Sequence, residues 1–175
     1  MKIIFETTRL LLREVDESDL EGFYEMDSDP EVARYVDTPP VKDKAQCLEI
    51  IHSIQQQYNW YGMGRWSVVL KSSGAFLGWC GLKRMAGITV NGKTGFVDIG
   101  YRFAQRNWGQ GYASESAQAT MDYGFTALKC SEICAFADTR NKASHKVLTK
   151  IGLERGNEFD WQGRSCTCFQ KTQSP

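Results

Sequence analysis

The sequence predicts a mixed α+β protein in which one mostly antiparallel sheet of about six or seven strands carries helices on both faces. Three observations lead there. Apolar residues recur at helical spacing between Leu20 and Tyr58, they switch to the period of strands from Trp66 to Phe103, and the remainder alternates strand and helix before a last hairpin. A chain of 175 residues lies within the roughly 100–200 of a common domain, so a single domain over residues 1–175 is expected.

Taken in order, Thr8 to Val15 is a short apolar run between charges and reads as a buried strand. Asp16 and Ser18 offer N-cap oxygens to a helix carrying Leu20, Phe23, Tyr24 and Met26. Asp29-Pro30 starts a short helix through Val36, because proline suits a first turn, and Pro39-Pro40 ends it. From Lys42 to Tyr58 a longer helix packs Leu48, Ile51, Ile54 and Tyr58, while Gln55-Gln56-Gln57 meets water. Trp66 to Leu70 and Ala75 to Leu82 form a hairpin across Lys71-Ser72-Ser73-Gly74. The polar connection from Arg84 to Gly95 contains the turn pair Asn91-Gly92 and leads into a strand from Phe96 to Phe103. A helix from Gly111 sets Ala113, Ala117, Met121, Gly124, Phe125 and Leu128 on one face. Ser131 to Ala137 is a strand, Asn141 to Lys150 a helix, and residues 154–161 and 165–170 pair across Trp161-Gln162-Gly163-Arg164.

Composition narrows the function. Lys plus Arg equals Asp plus Glu at 21 each, so the overall field draws in neither nucleic acid nor an anionic membrane. No run approaches the roughly 18 apolar residues of a membrane span, and Met1 to Glu6 turns charged too soon for a signal-peptide core. A cytoplasmic protein is expected. Its six cysteines, Cys47, Cys80, Cys130, Cys134, Cys166 and Cys168, then read as free thiols used as small hydrophobes, and none has the CxxC spacing of a zinc site, so no metal is expected.

The strand-helix passage around residue 105 carries the chemistry. Gln105-Arg106-Asn107-Trp108-Gly109-Gln110-Gly111-Tyr112-Ala113 places two glycines immediately before the most regular helix. Glycine lets the backbone take positive φ and approach a ligand, and a helix start offers unpaired N–H groups and partial positive charge, so the pattern reads either as an anion cradle or as a plain glycine connection. A Walker A loop needs Lys-Ser or Lys-Thr after its second glycine, where this chain has Tyr112-Ala113. A Rossmann fingerprint needs a third glycine where this chain has Ser114.

Arg106-Asn107-Trp108-Gly109-Gln110-Gly111 resembles the Gln/Arg-x-x-Gly-x-Gly/Ala loop of the GNAT superfamily of acetyltransferases. Asp98 to Phe103, Tyr112 to Glu115 and the opening Thr8-Arg9-Leu10-Leu11-Leu12-Arg13 are similar to its ribosomal-protein alanine and serine N-acetyltransferase (RimJ/RimL-like) branch. Asn141-Lys142-Ala143-Ser144, with Val147 to Leu153 after it, resembles the family's Asn-x-x-Ser/Ala followed by Lys-x-Gly-Phe/Leu. The likeness spans about residues 8–170. It implies a GNAT fold and acetyl-coenzyme A as co-substrate, with the pyrophosphate on Arg106, Asn107, Trp108, Gly109, Gln110, Gly111, Tyr112 and Ala113. It further implies that Tyr101, Arg102 and Phe103 pair with the pantetheine arm, since an exposed strand end accepts an extended amide chain. Asn141 and Ser144, three apart at a helix start, face the ligand thiol by the same resemblance, and Asn141 is equally a helix cap.

Acyl transfer to an amine needs a neutral nucleophile, a stabilised carbonyl oxygen and a proton for the departing thiolate. Many relatives supply that proton from a Tyr where this chain has Leu148, so the resemblance leaves Ser144 as the catalytic candidate, as acid or as hydrogen-bond partner only. Asp98 stands where the branch has Glu and is the candidate base, acting through water, or else a structural acceptor for a neighbouring backbone group or Arg. Glu115 fits helix-end electrostatics, and Glu158 and Asp160 are weaker base candidates. Most of Tyr58, Trp60, Tyr61, Trp66, Trp79 and Trp108 should be core, while Trp60 and Tyr61 follow the third helix, where by the resemblance related enzymes shape the acceptor pocket. The acceptor is expected to be a protein N-terminal amine, a polyamine, an antibiotic amine or an amino acid, with Asp27, Asp29, Glu31 and Asp37 as a solvated face or a weak acidic attraction. A homodimer is compatible with this reading. The rival readings are a coenzyme A-binding module without turnover, and a purely structural protein that binds no coenzyme A.

Overall fold

The computed structural model describes residues 2–36 and 38–173, which leaves Asp37 of the acidic group outside the described residues. Its main sheet has eight strands, one or two more than the sequence predicts, in the order β1-β2-β3-β4-β7-β8-β10-β9. The strands are β1 (Ile3–Glu6), β2 (Leu10–Glu14), β3 (Arg65–Leu70), β4 (Phe76–Arg84), β7 (Val97–Phe103), β8 (Glu132–Asp138), β9 (Glu154–Trp161) and β10 (Arg164–Thr172). Short strands β5 (Thr89–Val90) and β6 (Lys93–Thr94) make a separate hairpin. The added edge strand is β1, because the run read as one strand from Thr8 actually follows a reversal. The Thr7 hydroxyl accepts the Leu10 N–H at 3.0 Å, while the Thr7 N–H donates to the Leu10 carbonyl at 2.9 Å.

All neighbours in the main sheet are antiparallel except β7 and β8, which the intervening helix forces to run parallel. Alternation along the strands sends Leu12, Trp66, Val68, Leu82 and Ile99 to one face, under helices α4 (Tyr112–Thr126) and α5 (Lys142–Lys150). Phe76 and Trp79 point the other way, to a second core built by α1 (Leu20–Asp27), α2 (Pro30–Ala33) and α3 (Lys44–Tyr61). Helices therefore cover both faces. α2 ends at Ala33 rather than Val36, and α3 runs three residues past Tyr58 to a left-handed cap at Gly62. Asp43 starts α3 by accepting the Gln46 N–H at 3.0 Å. Among the described residues no helix is long and apolar enough to cross a membrane.

Candidate active site

The sheet opens between β7 and β8. These strands register at a single pair, Asp98 with Cys134, whereas the far sides of both are paired along their length, β7 with β4 and β8 with β10. Past that vertex the edge of β7 from Gly100 to Phe103 faces a gap. Apart from the Phe103 carbonyl, which accepts the Trp108 indole N–H, its backbone donors and acceptors on that side have no strand partner and can meet an extended ligand, as an unpaired strand edge does.

The glycine turn lies at the carboxyl end of β7. Gln105–Asn107 forms one turn of 3-10 helix, fastened by the Asn107 amide to the Leu77 carbonyl at 2.9 Å and by the Trp108 indole N–H to the Phe103 carbonyl at 2.8 Å. Gly109 and Gly111 then adopt φ of 74° and 82°, a left-handed region closed to most side-chain-bearing residues. Gly111 is the N-cap of α4 and no side chain caps the helix, so the N–H groups of its first turn stay open to a ligand. Those donors and the positive helix end fit a pyrophosphate. Arg106 forms an ion pair with Glu25 of α1, and Gln110 donates to the Arg106 carbonyl at 3.3 Å, so these side chains brace the turn. Tyr112 is buried and Arg9 lies over its ring at 4.7 Å; Ala113 follows in the first turn of α4.

Glu115 explains how the turn is held. It accepts from the Thr7 hydroxyl at 2.6 Å, the Arg9 N–H at 3.0 Å and the Arg9 Nε at 2.7 Å, while Arg9 also reaches the Gln110 carbonyl at 3.0 Å. Partial burial would raise its carboxyl, but these donors together hold it below the ordinary range. Glu115 is thus an anchor between the β1–β2 reversal and the turn.

Tyr101 and Ser144 meet across the gap. The Tyr101 phenol donates to the Ser144 carbonyl at 3.1 Å and lies 2.9 Å from its hydroxyl. Burial pushes the phenol well above its usual value, against the pull of the Ser144 hydrogen bond, so it stays protonated. Asn141 accepts the Ser144 N–H at 3.1 Å and therefore caps α5. Leu148 is buried in the core, so its position contributes nothing to the gap.

Asp98 sits at the vertex on the opposite face, buried in an ion pair with Arg65. Arg65 crosses over Gly81 and Gly100 to reach it, donating to the Gly81 carbonyl at 2.6 Å and the Asp98 carbonyl at 3.0 Å. A Cβ on Gly100 would come within 2.7 Å of Arg65 Nη2, so glycine is what leaves room for the guanidinium. Burial raises the Asp98 carboxyl, with Arg65 opposing. Arg102 points to the same face, paired with buried Asp27 at 2.8 Å, and both arginines lie near the Trp79 ring, at 5.3 and 5.5 Å. Phe103 is core.

Sequence reasoning missed Arg65 and the Tyr101 hydroxyl, and it read Asp27 as part of a solvated or weakly attracting acidic face where the structure buries it against Arg102. The one local signal was Gly100, since glycine inside a strand marks a close approach. The acidic residues near α2 have local work: Asp29 caps the helix by accepting the Glu31 N–H at 2.8 Å, and Glu31 pairs with Arg34 at 3.2 Å. Asp160 accepts the Gly163 N–H at 3.1 Å in the β9–β10 turn, and Glu158 pairs with Arg155 at 2.9 Å. Trp60 and Tyr61 are exposed at the end of α3, whereas Trp66 is core.

A mixed sheet parted between two parallel strands, with a glycine turn and an open helix start at the end of the first, is the architecture of the N-acyltransferases. The chain belongs to the GNAT acetyltransferase family: the model for the acetyltransferase (GNAT) domain matches residues 9–154. The uncharacterized protein YkkB of Bacillus subtilis (strain 168) is 37% identical over 150 residues, covering 84% of this chain and 83% of that one. The uncharacterized N-acetyltransferase YoaA of the same strain is 30% identical over 152 residues, covering 87% and 83%. Among solved structures, the ribosomal-protein alpha-N acetyltransferase RimL in complex with coenzyme A superposes with a TM-score of 0.81 over 98% of both chains at 16% identity, a likeness of fold.

Proposed function

We propose that this chain transfers an acetyl group from acetyl-coenzyme A to a primary amine by direct attack in a ternary complex. The observation that carries the proposal is the opening of the sheet beyond Asp98 and Cys134, with Gly109 and Gly111 at its mouth. Acetyl-coenzyme A supplies an activated thioester carbonyl. Of the stretch from Arg106 to Ala113, the backbone N–H groups from Gly109 onward hold its pyrophosphate at the start of α4, while those of Asn107 and Trp108 donate to the Ala104 and Gln105 carbonyls and shape the turn, and the edge from Tyr101 to Phe103 pairs with the pantetheine amides. Asn141 fixes the start of α5 and with it the Ser144 hydroxyl.

As the amine nitrogen bonds to the carbonyl carbon and the carbon–sulfur bond breaks, Ser144 gives a proton or a hydrogen bond to the sulfur. The Tyr101 phenol beside it restores that proton and regains its own from solvent as the products leave, a relay that replaces the acid missing at Leu148. Asp98 takes the ammonium proton through water, its burial making it a better base than an exposed carboxylate. A second reading, a coenzyme A-binding module without turnover, draws support from buried Leu148; under it Ser144→Ala and Asp98→Asn leave every measured activity unchanged.

The test is thermal unfolding with and without acetyl-coenzyme A, alongside the Gly109→Val, Gly111→Val variant. A ligand at about 100 times its dissociation constant adds roughly 2.7 kcal/mol. A raised midpoint in the natural chain that vanishes in the variant, followed by thiol release with amines, supports transfer. No shift at saturating cofactor sinks it.

A further inference from the structure

A cavity of about 280 Å³ lies under the β5–β6 hairpin and against β8, β9 and β10. It reaches β8 at Cys134, Ala135 and Phe136, where β7 and β8 separate. Paired residues of parallel strands project to one face, so the Cys134 side chain emerges beside Asp98, opposite α4 and α5. The cavity therefore lies on the Asp98 face of the sheet, beside the vertex.

Its walls have a definite chemistry. Phe96, Phe136, Phe159 and Val90 supply apolar surface, with Phe136 edge-on to Phe159 at 6.0 Å. Asn91 and Asn157 exchange amide hydrogen bonds of 3.0 and 3.2 Å across the mouth and strap the hairpin to β9. Among the described residues Lys93 is the one charged member of the lining, held to Glu132 at 2.6 Å and Gln170 at 3.0 Å. No carboxylate lines the cavity among the described residues.

We infer that this cavity is the acceptor subsite, and that it takes a primary amine borne on an uncharged aromatic or branched aliphatic group rather than a polyamine. The inference rests on the acetyl-transfer reading above. A polyamine carries further positive charges for which the lining offers no carboxylate of its own, the nearby Glu132 being already held by Lys93, and charges left unpaired against apolar walls are costly. A small apolar amine instead buries its body against the phenyl rings, and the apolar surroundings favour its neutral, nucleophilic form. The volume sits at the lower end of small-molecule sites, which suits a single ring on a short aminoalkyl chain.

The probes are 2-phenylethylamine and spermidine, each offered to the full chain with acetyl-coenzyme A for turnover and with coenzyme A for thermal shift. Phenylethylamine should raise the midpoint of the coenzyme A complex and give at least about tenfold higher kcat/KM than spermidine. Phe136→Ala should lower its kcat/KM about tenfold with the acetyl-coenzyme A KM unchanged. Asn157→Asp, which adds a carboxylate to the lining, should move the preference toward spermidine. A retained coenzyme A shift shows that each variant folds. Spermidine as the better acceptor, no midpoint shift from phenylethylamine, or an unchanged preference in both variants overturns the inference. Loss of the coenzyme A shift in the natural chain overturns the acetyl-transfer reading instead.

Discussion

The Tyr101 phenol oxygen stands 2.9 Å from the Ser144 hydroxyl, across the gap between β7 and α5. If the two form a proton path to the leaving sulfur, Ser144→Ala should lower kcat about 100-fold, the lower end of general acid–base contributions, and Tyr101→Phe about tenfold. The double variant should be no slower than Ser144→Ala, and the acetyl-coenzyme A KM should stay within about threefold. Steady-state kinetics on the four proteins decides; additive losses would separate the two residues.

Arg65 and Asp98 form a buried pair, and breaking one side leaves the other charge uncompensated. Asp98→Asn and Arg65→Met should each cost about 3–5 kcal/mol in urea unfolding. Activity distinguishes them. Arg65→Met keeps the carboxylate but removes the charge that lowers its pKa, so the acidic limb of kcat/KM should move to higher pH, whereas Asp98→Asn should erase that limb. An unmoved limb in Arg65→Met would assign the base to another group.

Glu115 gives a pH signature of the opposite sense. Its folded pKa lies below the ordinary 4.5, so its stabilisation is complete above that value and is lost as pH falls through the folded pKa. Between about pH 6 and about pH 3 the natural chain should therefore lose more stability than Glu115→Gln. At neutral pH that variant should be about 1–2 kcal/mol less stable, the partly exposed Arg9 limiting the cost, and should raise the acetyl-coenzyme A KM because the turn loses its tether.

Gly124→Ala sets helix propensity against packing. Alanine gains about 0.5–1 kcal/mol over glycine within a helix. Its Cβ, however, would lie 2.7 Å from Ile133 Cδ1 and 2.8 Å from Leu82 Cδ1, and such overpacking costs about 1–3 kcal/mol. Packing should win, lowering the unfolding midpoint by about 2–4 °C. A raised midpoint would mean that β4 and β8 yield easily beneath α4.

Legibility followed the range of the interactions. The apolar period of α4, the glycine pair ahead of it and the Asn91-Gly92 reversal, whose φ values are 48° and 75°, are local and could be read directly. β1 was missed because Thr7-Thr8-Arg9 turns the chain through a threonine hydroxyl, with no glycine or proline to mark it. Arg65 reaches Asp98 across 33 positions and Tyr101 reaches Ser144 across 43. Spacing along the chain carries no trace of such meetings, which depend on the order of strands in the sheet. The contact of Tyr101 with Ser144 needed that order.

The single pair joining Asp98 to Cys134 also divides the molecule mechanically. Strands β1 to β4 with β7 form one hydrogen-bonded raft, and β8, β10 and β9 form another, with α4 and α5 packed over the seam. Although one core spans both rafts, the weak join should let them open separately, with amide protons of β8 to β10 exchanging with solvent as a group, ahead of those in β3 and β4. An extended molecule threaded along the seam becomes a stitch that slows that exchange, so occupancy and rigidity of the C-terminal third rise together.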